Sequence, residues 1–154
     1  MRDYFRKLTE ELSNTLQGKE VLLCSLNGEQ SDFCRFNQGR VRQVGNVEQN
    51  YISLSLVDQD RVVSSVLGLS HQLPIDRKGC QDQLAALRSK LPAMPVDPWL
   101  AFETRPGEVG QPAVDQSLNT KEHLRCILAA AGQHDLVGIY SGGLQYGGYR
   151  SSLG

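Results

Sequence analysis

The chain has 154 residues, 40% of them hydrophobic and 21% charged, and its sixteen Lys plus Arg nearly balance seventeen Asp plus Glu, for a net charge of -1. That size suits one folded domain with its own core, and the composition lies far from the polar, highly charged corner where disordered chains fall. The charge balance excludes the basic footprint that neutralises nucleic-acid phosphates, and no run of about eighteen apolar residues is present to span a bilayer.

The opening "MRDYFRKLTEELSNTL" is charged throughout and lacks the apolar stretch of a secretory signal, so a cytoplasmic protein is expected. Tyr4, Phe5, Leu8, Leu12 and Leu16 recur at steps of three and four with Arg6, Lys7, Glu10 and Glu11 opposite, which predicts an amphipathic helix ended by Gly18. From Glu20 the period changes to two. "EVLLCSLN" and "QSDFCRFN" read as strands separated by a turn at Asn27-Gly28, a pair that readily supplies positive φ. A turn at Gln38-Gly39 leads to "RVRQVG" and "VEQNYISLSLV", and Asp58 to Asp60 turn the chain into "RVVSSVLGLS". This predicts an antiparallel meander of four or five strands with one face covered.

A second helix is expected from about Asp76 to Lys90, with Cys80, Leu84, Leu87 and Leu91 on one stripe and Pro92 as its stop. Five prolines between Pro92 and Pro112 then mark an irregular crossing, with Trp99 and Phe102 as expected anchors. A third helix is predicted over Thr120 to Ala131, capped by Asn119 or Thr120 and closed by Gly132. The terminal "YSGGLQYGGYRSSLG" has neither the spacing nor the lysine of a phosphate loop, and its alternation predicts a last strand. The expected fold class is therefore α+β, a two-layer sandwich with a mainly antiparallel sheet of about five to six strands and three helices.

Cys24, Cys34, Cys80 and Cys126 form no C-x-x-C pair, which points to reduced, mostly buried thiols. His71, His123 and His134 have no partner at metal-ligand spacing, and His123 is expected to face solvent on its helix. No catalytic, cofactor-binding or metal-ligating residue is assigned.

The order of these elements, together with "CRFNQGRVRQVGNVEQNYISLSLVDQDRVVSSVLGLS" and "AAAGQHDLVGIYSGGLQYGGYRSSLG", resembles the N-terminal part of the TldD/PmbA family, metalloproteases also called modulators of DNA gyrase. In the first block an Arg and an amide residue precede a strand, and in the second a helix leads into G-x-x-S and a small-residue strand. The resemblance implies that residues 1–154 are a single α/β domain, the N-terminal domain of a longer two-domain peptidase. The family's H-E-x-x-x-H motif, which binds zinc through two imidazoles and carries a glutamate base, is absent from this sequence.

Zinc is thus implied for the full-length family and not for this chain, which is expected to be inactive alone. The implied partners are the missing C-terminal catalytic domain, a homo- or heterodimer mate from the family, and a peptide substrate entering as an extended strand. Neither nucleic acid nor membrane is implied. Arg35, Arg40 and Arg42 are the candidate substrate- or partner-facing residues. An excised domain of this kind is expected to expose an unpaired strand and to self-associate. The second reading is a stand-alone protein- or peptide-binding module without catalysis.

Overall fold

A computed structural model of the protein describes residues 1–105, 107, 110 and 119–154. The elements, in chain order, are α1 (Arg2–Ser13), β1 (Val21–Asn37), β2 (Arg40–Asp58), β3 (Arg61–Gly68), α2 (Leu73–Lys90), a short 3-10 turn (Leu91–Ala93), α3 (Thr120–Ala131) and β4 (Gly138–Ser151). The class is α+β as expected, but among the described residues the sheet has four strands, ordered β3-β2-β1-β4.

The strand count falls because Asn27-Gly28 is not a turn and because the two runs expected as "RVRQVG" and "VEQNYISLSLV" are one continuous strand, β2. β1 runs unbroken from Val21 to Asn37, and Gly28 takes no positive φ. The physical reason lies in its neighbour: β2 is 19 residues long and lies beside β1 in the sheet, so the ladder continues past the dipeptide. Leu22, Cys24, Leu26, Cys34 and Phe36 also share one phase, and all are buried. The other two expected turns are present. Gln38 and Gly39 have φ of 55 and 63°, and Gln59 and Asp60 of 48 and 59°. Both are two-residue hairpin loops with two left-handed positions.

The chain divides into two compact units. The first comprises Met1–Asn27, Asn50–Gly110 and Tyr146–Gly154. Its core joins Phe5, Leu8 and Leu12 of α1 to Cys80, Leu84 and Leu87 of α2, over Leu22 and Leu26 of β1 and Ile52, Leu54 and Leu56 of β2. Each such leucine, fully buried, contributes about 1.5–3 kcal/mol. β2 and β3 pair antiparallel from Asp58↔Arg61 to Tyr51↔Gly68.

α1 stops at Ser13, ahead of Gly18. Ser13 and Thr15 donate their hydroxyls to the Thr9 and Leu12 carbonyls, a local bonding that competes with further helix. Gly18, at φ 57°, lies in the loop beyond. α2 begins at Leu73, three residues before Asp76, because Pro74 is tolerated in the first turn. Trp99 is not an anchor: it is 88% exposed, in a turn where its N–H donates to Asp97 Oδ1 at 2.9 Å. Phe102 is half-buried. Pro106 and Pro112 of the proline-rich stretch lie outside the described residues.

The second unit comprises Gly28–Gln49 and Gln111–Gln145. α3 is capped by Asn119, whose Oδ1 accepts from the Glu122 N–H at 3.2 Å, and Gly132 closes it at φ 54°. No residue of α3 is fully buried. Its stripe of Leu124, Ile127 and Leu128 is only half-covered. Gly143 of β4 passes so close to β1 that a Cβ there would lie 2.2 Å from the Gln30 carbonyl oxygen and 2.4 Å from Ser31 Cα. No helix among the described residues is long and apolar enough to cross a membrane.

Candidate functional site

Four side chains 72 residues or fewer apart in sequence meet at the start of α2. Asp76 is 6% exposed. It accepts from the Ser70 N–H at 2.9 Å and the Ser70 hydroxyl at 2.8 Å, and from the Tyr4 hydroxyl. His71, at φ 62°, brings its ring to 5.7 Å from that of Tyr4. Burial pushes the Asp76 carboxyl up, but the hydrogen bonds from Tyr4 and Ser70 together outweigh it, so the group is held below the usual carboxylate range. Burial first, then the bond to Asp76, raises the Tyr4 phenol. An ionised, fully bonded carboxylate under a neutral phenol has no lone pair aimed at a substrate. The cluster braces the β3–α2 connection.

Glu20 and Arg88 form a second brace. The guanidinium makes two bonds to the carboxylate, at 2.6 and 2.7 Å, and a third to the Thr15 carbonyl at 3.2 Å. The Glu20 side chain is 8% exposed. Its carboxyl is held low, chiefly by the bonds from Arg88 against the opposing effect of burial.

Each unit has one shallow cleft worth describing. In the first unit a cleft of about 330 Å³ is lined by Thr9, Ser13, Cys24 and Ser152, with Arg150 and Glu10 among its walls, paired at 3.2 Å. Burial pushes the Cys24 thiol up to about 12 and the Cys80 thiol up to about 11, so neither supplies a thiolate nucleophile. In the second unit a cleft of about 280 Å³ is lined by Gln30, Ser31, Asp32, Asn46, Thr120 and the backbone of Gly142 and Gly143. It contains neither a histidine nor a cysteine.

His123 does not face solvent alone. It is half-buried, with Nδ1 3.1 Å from the Tyr140 hydroxyl and its ring edge-on to that of Tyr140. Sequence reasoning missed this pairing because it depends on which face of α3 meets β4. The four cysteines are free thiols, with Cys24, Cys34 and Cys80 buried and Cys126 exposed. Among the described residues no group of three or more His, Cys, Asp or Glu is placed to hold a metal ion.

Arg35, Arg40 and Arg42 are all exposed and flank the two-residue turn between β1 and β2. Arg42 is tied back to that turn, donating from Nε to the Asn37 carbonyl at 3.3 Å and from Nη2 to Gln38 Oε1. Both outer strands, β3 and β4, have one bonding edge without a neighbouring strand among the described residues. The arrangement offers arginines at a hairpin tip and open strand edges. Among the described residues it offers no catalytic set.

The fold recurs in solved structures. A proposed modulator of a DNA gyrase from Thermotoga maritima MSB8 superposes with a TM-score of 0.58 at 10% identity, covering 97% of this chain and 37% of that one. TldE from Thermococcus kodakarensis gives 0.60 at 8% identity, with 98% and 37% covered. A proposed modulator of DNA gyrase from Bacteroides thetaiotaomicron VPI-5482 gives 0.55 at 15% identity, with 97% and 38% covered. This chain has the fold of one part of those proteins. It spans little more than a third of their length. No protein-family model and no curated protein sequence matches the chain.

Proposed function

We propose that this chain is the N-terminal, non-catalytic domain of a TldD/PmbA-like zinc metalloprotease, where it shapes the substrate chamber and the dimer of a peptide-hydrolysing enzyme. The observation that carries the reading is the likeness over nearly the whole chain to about a third of TldE and of the two gyrase-modulator proteins. A domain in this role needs no catalytic set of its own, and the sequence has no H-E-x-x-x-H. The zinc, the peptide bond cleavage and the cytoplasmic location belong to the longer protein. Its partners are the catalytic domain and a family member completing a homo- or heterodimer. Arg35, Arg40 and Arg42 at the hairpin tip face the peptide or the dimer mate.

The test is peptidase activity with and without a zinc chelator. The longer protein is expected to cleave an unfolded polypeptide and to lose that activity on chelation, whereas this chain alone is expected to have no activity and no stoichiometric zinc. A longer reading frame without H-E-x-x-x-H, or tight zinc on residues 1–154, overturns the proposal.

A further inference from the structure

Along β4 the side chains that face α1 alternate with those that do not. Tyr146 packs against the core, and a Cβ on Gly148 would lie 3.1 Å from the Phe5 ring, so the bare glycine lets α1 lie close on the strand there. Further along the same phase come Arg150 and Ser152, opposite the last turn of α1. The gap between them is the cleft of about 330 Å³ over Leu22 and Cys24, and every residue in its wall belongs to the first unit.

The two walls differ in sign. On the α1 side stand Glu10 and the last carbonyls of the helix, the negative end of its dipole. On the β4 side stands Arg150, near enough to Cys24 to oppose in part the rise that burial imposes on that thiol. Arg150 and Glu10 meet at 3.2 Å with side chains 33% and 55% exposed, and an ion pair so open to water holds weakly. Hydrogen bonding is unfinished on both walls. Arg150 uses Nη1 on Glu10 Oε1, and among the described residues its remaining donors have no acceptor. The Ser152 hydroxyl accepts from the Leu22 N–H at 3.0 Å, and its own hydrogen has no acceptor among them either.

We propose that this cleft binds the head group of a free α-amino acid, its carboxylate on Arg150 and Ser152 and its ammonium on Glu10. Such a molecule carries both charges on one carbon, which matches a cation and an anion only 3.2 Å apart; a peptide carries them on different residues. Inserted between Arg150 and Glu10, the zwitterion leaves neither without a counter-charge, whereas a phosphate satisfies Arg150 and repels Glu10. The floor of Leu22 and Cys24 suits an apolar side chain, and the volume is near the lower end for ligand sites.

The test is a titration of L-leucine into the isotope-labelled chain, followed by NMR. Saturable shifts of the Leu22, Cys24 and Ser152 amides are expected, with a Kd on the order of millimolar. N-acetyl-leucine lacks the ammonium and leucinamide lacks the carboxylate, and each is expected to bind about tenfold more weakly. These comparisons use the unmodified chain and so are free of any folding defect. Glu10→Gln is expected to remove the preference for leucine over N-acetyl-leucine and keep that over leucinamide, and Arg150→Gln to do the reverse. No saturable shift at about 100 mM leucine, analogues that bind as tightly as leucine, or variants that keep both preferences overturn the site. Neither zinc nor the hairpin tip takes part in it, so the titration and the chelator test fail independently.

Discussion

α1 and α2 on one hand, and α3 on the other, are buried to different depths. Leu8 and Leu12 of α1 and Leu84 and Leu87 of α2 are no more than 1% exposed, packed on alternate residues of β1 and β2. α3 presents three half-covered apolar residues and ends in three alanines, which bury little area. The first unit adds two polar braces, Tyr4–Asp76–Ser70 and Glu20–Arg88. The second has Cys34 and Phe36 of β1 buried, one helix cap, the His123–Tyr140 contact and the close passage of Gly143 over β1. The contrast is one of burial, and it leads to the expectation that the second unit opens before the first. Surfaces that bind by rearranging are drawn from such weakly held parts.

The largest expected effect tests the dense unit. Leu54 is fully buried, and Leu54→Ala is expected to cost about 2–5 kcal/mol in a urea melt. Next, Gly143→Ala forces a Cβ against backbone atoms that cannot swing aside. It is expected to cost about 1–3 kcal/mol and to speed hydrogen exchange in the second unit more than in the first.

Acid probes the braces of the first unit. Asp76 and Glu20 both have folded values below their unfolded ones, so the stability they contribute is complete above about pH 4–5 and lost as pH falls through the folded values. The urea midpoint is expected to fall steeply below about pH 4. Asp76→Asn with Glu20→Gln is expected to lower stability at pH 7 by about 1 kcal/mol for each brace and to flatten that acid limb. An unchanged limb shows that other carboxylates govern it. The smallest effect is expected for Leu128→Ala on α3, about 1 kcal/mol or less. A cost equal to that of Leu54→Ala removes the contrast between the two units.

Much of this was legible in the amino-acid order. The stripe Phe5, Leu8, Leu12 and the stripe Cys80, Leu84, Leu87 specify two helices and the faces they bury, because helix periodicity is a local property. α3 and its Asn119 cap, the turns at Gln38-Gly39 and Gln59-Asp60, and the small-residue last strand were equally readable. Asn27-Gly28 misled, since a turn-compatible dipeptide only permits a turn, and the length of β2 beside β1 kept the strand extended. Trp99 misled for the opposite reason: size promises burial only where a partner surface exists.

The candidate surfaces divide the same way. That Arg35, Arg40 and Arg42 flank a hairpin tip follows from sequence positions alone. That Asp76 bonds Tyr4, that His123 meets Tyr140, and that β4 is an outer strand among the described residues do not, because each depends on how separate elements are brought side by side. Local pattern determined the elements, their apolar faces and the lack of a zinc motif. Only the tertiary structure decided the strand order and therefore which strands are outermost among the described residues, since pairing between distant segments is settled by the packing of whole faces and leaves no mark at a short spacing.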